Sequence, residues 1–307
     1  MSFWKGYASN CNRRGGEDMS AIVIDGKAVA RKIREEVRQS AAALREKGVA
    51  PCLAVVLAGD DPASVSYVTA KEKALAEAGM ESRDFRLPAD VAEAELLALI
   101  GRLNADAKVH GILVQLPLPR HIDSNRVITA IDPAKDVDGF HPVSAGNMLL
   151  GWRGFLPCTP HGVLVLLREL GVPLAGAHAV VVGRSNIVGK PMANLLARRE
   201  YNATVTVCHT GTRDLAEHAR RADVLIAAAG MPGLIGAGMV KPGAAVIDVG
   251  VNRVGDPTKQ KGYRLCGDVD FAEAEKVAGF ITPVPGGVGP MTIAMLLKNV
   301  IQAAGGA

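Results

Sequence analysis

The chain has 307 residues, a net charge of +4 and 21% charged residues, with aromatic side chains at only 4%. This length allows two domains with substantial cores. The basic residues are scattered and no apolar run approaches the roughly 18 residues of a membrane span, so we expect neither nucleic-acid binding nor a membrane anchor. Five widely spaced cysteines without a CxxC pair are typical of reduced thiols and predict a cytoplasmic protein.

The first twenty residues do not resemble the rest of the chain. They contain no apolar stretch of the kind found in a secretory signal, and a natural start stands at Met19. We therefore expect residues 1–20 to form a disordered extension, and the fold to begin near Ala21.

The first half of the chain alternates between short apolar runs and longer segments with helical periodicity. Buried strands are predicted at 22–24, 53–57, 82–87 and 111–116, and helices at 26–47, 63–79 and 91–107. This alternation predicts an α/β domain. From Pro117 to Pro142 the chain is rich in turn residues and is predicted to be irregular, apart from a helical turn or two at 125–131.

The second half repeats the alternation after a helix that begins at about Pro157. Strands are predicted at 179–182, 203–208, 222–228 and 244–249. Such a series is typical of a Rossmann-type domain with a parallel sheet. We expect two α/β domains with a cleft between them: a catalytic domain at 21–157 with the C-terminal helix at 285–307, and a dinucleotide-binding domain at 158–284.

A glycine turn, Gly183-Arg-Ser-Asn-Ile-Val-Gly189, links the first strand of this series to a helix. Free backbone N–H groups and the helix dipole favour a bound phosphate at such a position. The pattern departs from the usual dinucleotide fingerprint, because Ser185 stands where a glycine is expected. A lone turn of this kind is more often an ordinary strand–helix connection, and the strands that follow favour the cofactor.

Several polar residues lie inside otherwise apolar elements. Tyr67 and Lys71 share one helix face, Gln115 ends an apolar strand, and Asp136 and Asp138 stand in a KDVDG turn. Each has an ordinary structural explanation: a surface lysine, a satisfied buried amide, and two turn formers. No cluster of histidine or cysteine accompanies the carboxylates, so we expect no metal site.

The combination of motifs is far more specific than any one of them. The chain contains, in this order, YVTAK at 67–71, VQLPLP at 114–119, KDVDGF at 135–140, PCTP at 157–160, GRSNIVGKP at 183–191 and PVPGGVGPMT at 283–292. Together these motifs closely resemble the bifunctional methylenetetrahydrofolate dehydrogenase/cyclohydrolase family. The resemblance extends from about Ala21 to Ala304.

The resemblance implies a role for each motif. Lys71 would be the catalytic lysine and Gln115 its partner. The residues expected to bind the folate are Tyr67, Asp138, Val114, Leu116, Pro285, Gly286, Gly287 and Val288. Those expected to bind the nicotinamide cofactor are Gly183, Arg184, Ser185 and Val251. The resemblance further implies a homodimer assembled through the dinucleotide domains.

The two reactions make different demands on these residues. Hydride loss from the carbon that bridges N5 and N10 of the folate needs two rings in alignment more than it needs an acid or base. Hydrolysis of the resulting methenyl cation needs a proton acceptor, and the nearby positive charge favours a neutral lysine amine for that task. Two alternatives remain at this stage: an amino-acid-type NAD(P) dehydrogenase and a nucleotide-sensing scaffold without activity.

The cofactor preference can be tested at Arg184. NAD-binding Rossmann domains usually carry a carboxylate at the end of the second strand, where this chain reads Val207-Cys-His-Thr210. A 2′-phosphate would find the Arg184 guanidinium and no repelling charge, so we predict NADP as the cofactor. Arg184→Ala should lower kcat/KM with NADP much more than with NAD in steady-state assays. Equal losses with both cofactors would contradict this role.

Overall fold

The fold was obtained as a computed structural model that describes residues 20–259 and 262–306. The predicted disordered extension lies outside the described residues, apart from Ser20. None of the described helices is both long and apolar enough to cross a bilayer.

The secondary structure alternates as expected. The strands are β1 (Ile22–Val23), β2 (Cys52–Ala58), β3 (Glu81–Leu87), β4 (Gly111–Val114), β5 (His178–Val182), β6 (Thr204–Cys208), β7 (Val224–Ala227), β8 (Ala245–Asp248), β9 (Asn252–Gly255), β10 (Tyr263–Cys266) and β11 (Phe280–Ile281). The helices are α1 (Gly26–Glu46), α2 (Pro62–Glu77), α3 (Glu93–Ala105), α4 (Ser124–Ala130), α5 (Pro142–Leu150), α6 (Cys158–Glu169), α7 (Gly189–Ala197), α8 (Leu215–Arg220), α9 (Phe271–Ala274) and α10 (Val288–Ala303).

The chain forms two compact units, each built from separate stretches of sequence. The three-stranded unit contains Gly26–Gly162, Ser185–Leu195 and the segment from Gly289 onward. The six-stranded unit contains the segment up to Asp25, with Val163–Arg184 and Leu196–Val288.

The three-stranded unit is organised around β2. All seven residues of this strand are buried, and β3 and β4 pair with it in parallel on either side. A central strand covered on both faces has to be apolar throughout, which is why its sequence is CLAVVLA. Leu96 and Ile100 of α3 and Val127 of α4 pack against one face of the sheet.

The six-stranded unit has the parallel order β1-β11-β8-β7-β5-β6, with β9 and β10 as a separate antiparallel hairpin. Strand β1 pairs with β11 at one edge, with Ile22 opposite Phe280 and Val23 opposite Ile281. The sequence grouped these first residues with the catalytic domain. A strand of two residues carries no signal of which sheet edge it will extend, whereas the backbone N–H groups of Ile22 and Ile24 here find acceptors beside β11.

Helix α5 was not expected from the sequence, whereas the final helix was. Residues Pro142–Leu150, for which the sequence predicted no helix, form α5, because Pro142 occupies the first turn and the His141 ring accepts a hydrogen bond from the Val143 N–H at the N-cap. Helix α10 spans Val288–Ala303, inside the segment 285–307 predicted for the C-terminal helix, and belongs with the three-stranded unit from Gly289 onward.

Two buried aspartates organise the carboxyl edge of the six-stranded sheet. Asp248 accepts hydrogen bonds from the N–H groups of Gly250, Asp268 and Val269 at 2.9 to 3.0 Å. Asp268 accepts bonds from the N–H groups of Ala229 and Gly230 and from the Asn252 amide at 2.6 to 2.9 Å. Burial raises the pKa of Asp248 to about 6, and the charge of Asp268 adds to that shift.

Removing Asp268 should therefore destabilise the protein. Asp268→Ala removes the acceptor of three partly buried donors, which we expect to lower the free energy of unfolding by about 1–3 kcal/mol. Urea denaturation checks this, with Asp270→Ala as the control, because Asp270 is exposed two residues away and makes no side-chain capping bond. Equal stability of the two variants would contradict the assignment.

Candidate active site

Lys71 and Gln115 meet in the three-stranded unit. Helix α2 is capped by Asp61, which accepts a bond from the Ser64 N–H at 2.8 Å, and Lys71 lies past its middle. Gln115 follows β4 directly and remains in register through its N–H bond to Val56 O. Lys71 Nζ donates to Gln115 Oε1 at 3.1 Å. The lysine is therefore half-buried and paired, not a free surface residue.

The orientation of the Gln115 amide is fixed by its second hydrogen bond. Gln115 Nε2 donates to the carbonyl of Leu116 at 2.6 Å, which leaves Oε1 directed to the lysine. The Leu116–Pro117 peptide bond is cis. Val114, in contrast, places its side chain in the apolar core with 6% exposure, so any ligand contact there falls to its backbone.

Tyr67 lies one helical turn before Lys71 and remains 47% exposed. An exposed ring on the same helix face as the lysine offers a flat apolar surface for a planar ligand.

The loop that carries the KDVDG motif is anchored at its start by Lys135. The ammonium group donates to the carbonyls of Leu103, Asn104 and Asp106 at 2.8 to 3.0 Å, where α3 ends. Three carbonyls at the C-terminus of α3, which have no partner within the helix, thus accept hydrogen bonds from one ammonium group. A cation is favourable at this end of a helix. Burial lowers the pKa of Lys135, against the raising effect of nearby carboxylates.

Asp136 shapes the same loop from inside. It is 2% exposed and accepts hydrogen bonds from the N–H groups of Phe140 at 3.2 Å and His141 at 2.9 Å. The Ser144 side chain adds a further bond. Burial nevertheless raises the pKa of Asp136. Its oxygens are used within the fold, so Asp136 acts as a structural residue.

Asp138 is arranged differently, although it stands only two residues further on. It is half-buried, and within residues 20–259 and 262–306 no donor forms a hydrogen bond to its carboxylate. Burial raises the pKa of Asp138 to about 6, while the charge of Lys71 opposes the shift and that of Asp136 adds to it. A partly desolvated carboxylate with free oxygens is suited to accept bonds from a ligand.

The glycine turn after β5 is held in a defined backbone conformation. Gly183 has φ +135°, and a Cβ there would collide with the carbonyl of Ala228. Ser185 Oγ accepts bonds from the N–H groups of Val188 at 3.1 Å and Gly189 at 3.2 Å, so it caps α7. Arg184 is exposed beside it. A sharp turn at Gly183, a helix N-terminus and an exposed guanidinium fit the phosphates of a dinucleotide.

The remaining predicted residues lie in the six-stranded unit. Val251 follows β8 and is 47% exposed, next to Asn252, which Asp268 holds. In the proline–glycine loop the Val284–Pro285 bond is cis, Gly286 has φ +116°, and the Gly287 N–H bonds to Pro283 O at 2.9 Å. A Cβ on Gly287 would collide with Thr282 and with the Pro283 carbonyl, and Val288 is buried.

A cavity of about 560 Å³ adjoins the Asp138 loop within the three-stranded unit. Gly139 and Phe140 line it on one side, and Asn186, Ile187 and Lys190 line it on the other. Neither Lys71 nor Gln115 belongs to its lining. The cavity therefore extends the surroundings of the Asp138 loop toward α7 without enclosing the lysine.

Sequence reasoning missed the residues that hold this site in place. Lys135 was unremarked inside its motif, and Asn299 of α10 donates from its side chain to Val137 O and Leu156 O. A signal for Asn299 was present, since it is a polar residue inside the apolar run Met295-Leu-Leu-Lys-Asn-Val-Ile301, much as Gln115 is in its strand.

These features define a class of protein: a two-domain α/β oxidoreductase with a dinucleotide site and a lysine–glutamine pair beside a free carboxylate. Two family models match the chain. The tetrahydrofolate dehydrogenase/cyclohydrolase catalytic domain matches residues 24–138, and the NAD(P)-binding domain of the same family matches residues 157–306. The chain belongs to the tetrahydrofolate dehydrogenase/cyclohydrolase family.

Relatives of known name agree over nearly the whole chain. The bifunctional protein FolD of Bordetella avium is 60% identical over 286 residues, 93% of this chain and 98% of the relative. That of Exiguobacterium sibiricum is 59% identical over 284 residues, 92% of this chain and 99% of the relative. The crystal structure of Campylobacter jejuni FolD superposes with a TM-score of 0.89 at 50% identity, covering 93% of this chain and 99% of that one.

A fourth relative was determined with its cofactor. Trypanosoma brucei FolD, complexed with NADP and an inhibitor, has a TM-score of 0.89 at 45% identity, covering 93% of this chain and 98% of that chain. The predicted family, fold class and NADP cofactor are thereby confirmed.

The raised pKa of Asp138 makes stability depend on pH in a defined direction. The folded carboxyl binds its proton more tightly than the unfolded one, so its ionised form costs stability above about pH 6, and that cost disappears as the pH falls toward 4. Asp138→Asn should raise the free energy of unfolding above pH 7 by about 1–3 kcal/mol. Urea denaturation between pH 4 and 8 checks this, and a difference that stays constant with pH would contradict it.

Proposed function

We propose that this chain is a bifunctional enzyme of one-carbon metabolism. It oxidises 5,10-methylenetetrahydrofolate to 5,10-methenyltetrahydrofolate with NADP, then hydrolyses that cation to 10-formyltetrahydrofolate. The observation that carries the proposal is the pair of Lys71 and Gln115 at 3.1 Å, near the carboxylate of Asp138, which receives no hydrogen bond from any residue that the structure describes. The family assignment favours this activity over an amino-acid-type dehydrogenase.

Folate binding falls to Asp138 and Tyr67. The edge of a pterin ring presents neighbouring N–H donors, and one carboxylate can accept two of them. The exposed ring of Tyr67 stacks on the substrate beside Lys71. The other substrate-binding residues proposed are Val114, Leu116, Pro285, Gly286, Gly287 and Val288.

Hydride transfer depends on alignment. When bound, NADP supplies an acceptor for the hydride that leaves the bridging carbon. The residues proposed to hold it are Gly183, Arg184, Ser185 and Val251. Gly183 supports this proposal because its φ of +135° turns the chain sharply from β5 toward α7, and Ser185 because it caps the helix whose N-terminus favours a phosphate.

Hydrolysis depends on Lys71. Water adds to the methenyl carbon and gives one proton to the neutral amine of Lys71. The bond from that carbon to N5 then breaks as the hydroxyl of the adduct becomes a carbonyl; N5 takes up the proton that this hydroxyl releases, and the formyl group remains on N10. Gln115 orients the Lys71 nitrogen through Oε1 and adds no charge that would compete with the substrate cation.

We further propose a cytoplasmic homodimer joined through the six-stranded units. Strand β6 supports this surface, because it is an edge of the sheet and carries Val207 with 39% exposure. The four cysteines within the described part of the chain are free thiols, as expected in a reducing compartment.

The two activities should separate at Lys71. An amide of similar reach preserves part of the substrate alignment but accepts no proton, and general base catalysis typically contributes about 10²–10⁴-fold. Lys71→Gln should therefore abolish measurable cyclohydrolase activity while some dehydrogenase activity survives. Methenyltetrahydrofolate then accumulates and is followed by its absorbance.

The matched control is Lys73→Gln. Lys73 lies on the same helix, is exposed and forms only a surface ion pair with Glu77 at 3.9 Å, so both activities should remain. If Lys71→Gln lowered both activities by the same factor, Lys71 would be a positioning residue common to both steps.

A further inference from the structure

Asn299 lies far from Lys71 in sequence but holds the loop on which the candidate folate site depends. It is 2% exposed on α10, among apolar side chains. Its Nδ2 donates to Val137 O at 2.7 Å and to Leu156 O at 3.1 Å, and lies 3.6 Å from Cys158 Sγ. Both amide protons are thus used on the carbonyls of two separate loops.

The carbonyls of Val137 and Leu156 lie near the backbone on either side of Asp138. Val137 immediately precedes Asp138, and Leu156 lies against Gly139, which follows it. Gly139 has φ +72°, and a Cβ there would meet the backbone of Leu156 and Pro157 at 2.7 Å. The Asp138 backbone is therefore held through one hydrogen bond before it and one close backbone approach after it.

We infer that Asn299 is a positioning residue for folate recognition, which fixes Asp138 by drawing the loops at Val137 and Leu156 onto α10. The inference rests on the proposed role of Asp138 in folate binding. A leucine at position 299 has almost the same volume and no donor. It removes both Asn299 hydrogen bonds without opening a cavity and leaves Val137 O, within the described residues, only the weak bond from Cys158 Sγ at 3.5 Å, so the loop moves while the core stays filled.

This role predicts a selective kinetic effect. Lys71 and Gln115 belong to α2 and to the end of β4, and Asn299 donates to neither. Asn299→Leu should therefore raise the KM for methylenetetrahydrofolate about tenfold, the change that loss of one ordinary hydrogen bond produces. The KM for NADP should change less than twofold.

The control is Gln302→Leu on the same helix. Gln302 is half-buried and donates to Gly154 O at 3.5 Å, away from Asp138, so its loss tests a hydrogen bond from α10 that the inference does not involve. Its folate KM should remain within twofold of the parent. Equal folate KM values for the two variants would overturn the inference.

A double variant distinguishes positioning from general damage. If Asn299 acts through Asp138, adding Asn299→Leu to Asp138→Asn should raise the folate KM no further, because the group being positioned is already gone. A multiplicative increase would overturn the inference. If Asn299→Leu does not fold, Asn299→Ser, which keeps one donor, is measured in the same cycle with the same criterion.

The same measurements separate this inference from the proposed function. A normal folate KM in Asp138→Asn alone would remove Asp138 from the substrate site, and the role of Asn299 would fall with it. A raised folate KM in Asp138→Asn beside a normal one in Asn299→Leu would overturn only the inference.

Discussion

A carboxylate removed from water must be given hydrogen-bond donors or must cost stability, and this constraint organises both units. Asp136 takes two backbone N–H groups, and Asp248 and Asp268 take three donors each. Each satisfied carboxylate ties together segments of backbone that no regular ladder of hydrogen bonds would join. Asp138 is the exception, because burial partly desolvates it and no group in residues 20–259 or 262–306 donates to it.

The residues of the KDVDG motif therefore have different structural roles. Lys135 closes a helix end, Asp136 folds the loop, and Gly139 lets two stretches of backbone approach closely. The carboxylate of Asp138 receives no hydrogen bond from the described part of the chain. Residues of similar appearance in one short motif thus have different roles, and the difference lies in what the surrounding backbone offers to each side chain.

Much of the fold was predictable, because apolar runs such as that of β2 have few alternatives to a buried strand. Gln115 was recognisable as an anomaly for the same reason, since an amide in an apolar strand requires partners. Helix α5 was missed because its signal is a cap and a proline, with no strong periodicity. The positioning of Asp138 by Asn299 was beyond reach, since nothing local to either residue indicates a hydrogen bond across 162 positions of sequence.

The discontinuity of the three-stranded unit has a consequence for how the protein is made. Its sheet and most of its helices come from Gly26–Gly162, but α10 follows in the chain only after the six-stranded unit's segment Leu196–Val288. The hydrogen bond from Asn299 to Val137 O can form only after that helix has been synthesised. The intervening six-stranded sheet is therefore synthesised before the three-stranded unit is complete. A nascent chain can bury the core of that sheet before its candidate active site is assembled.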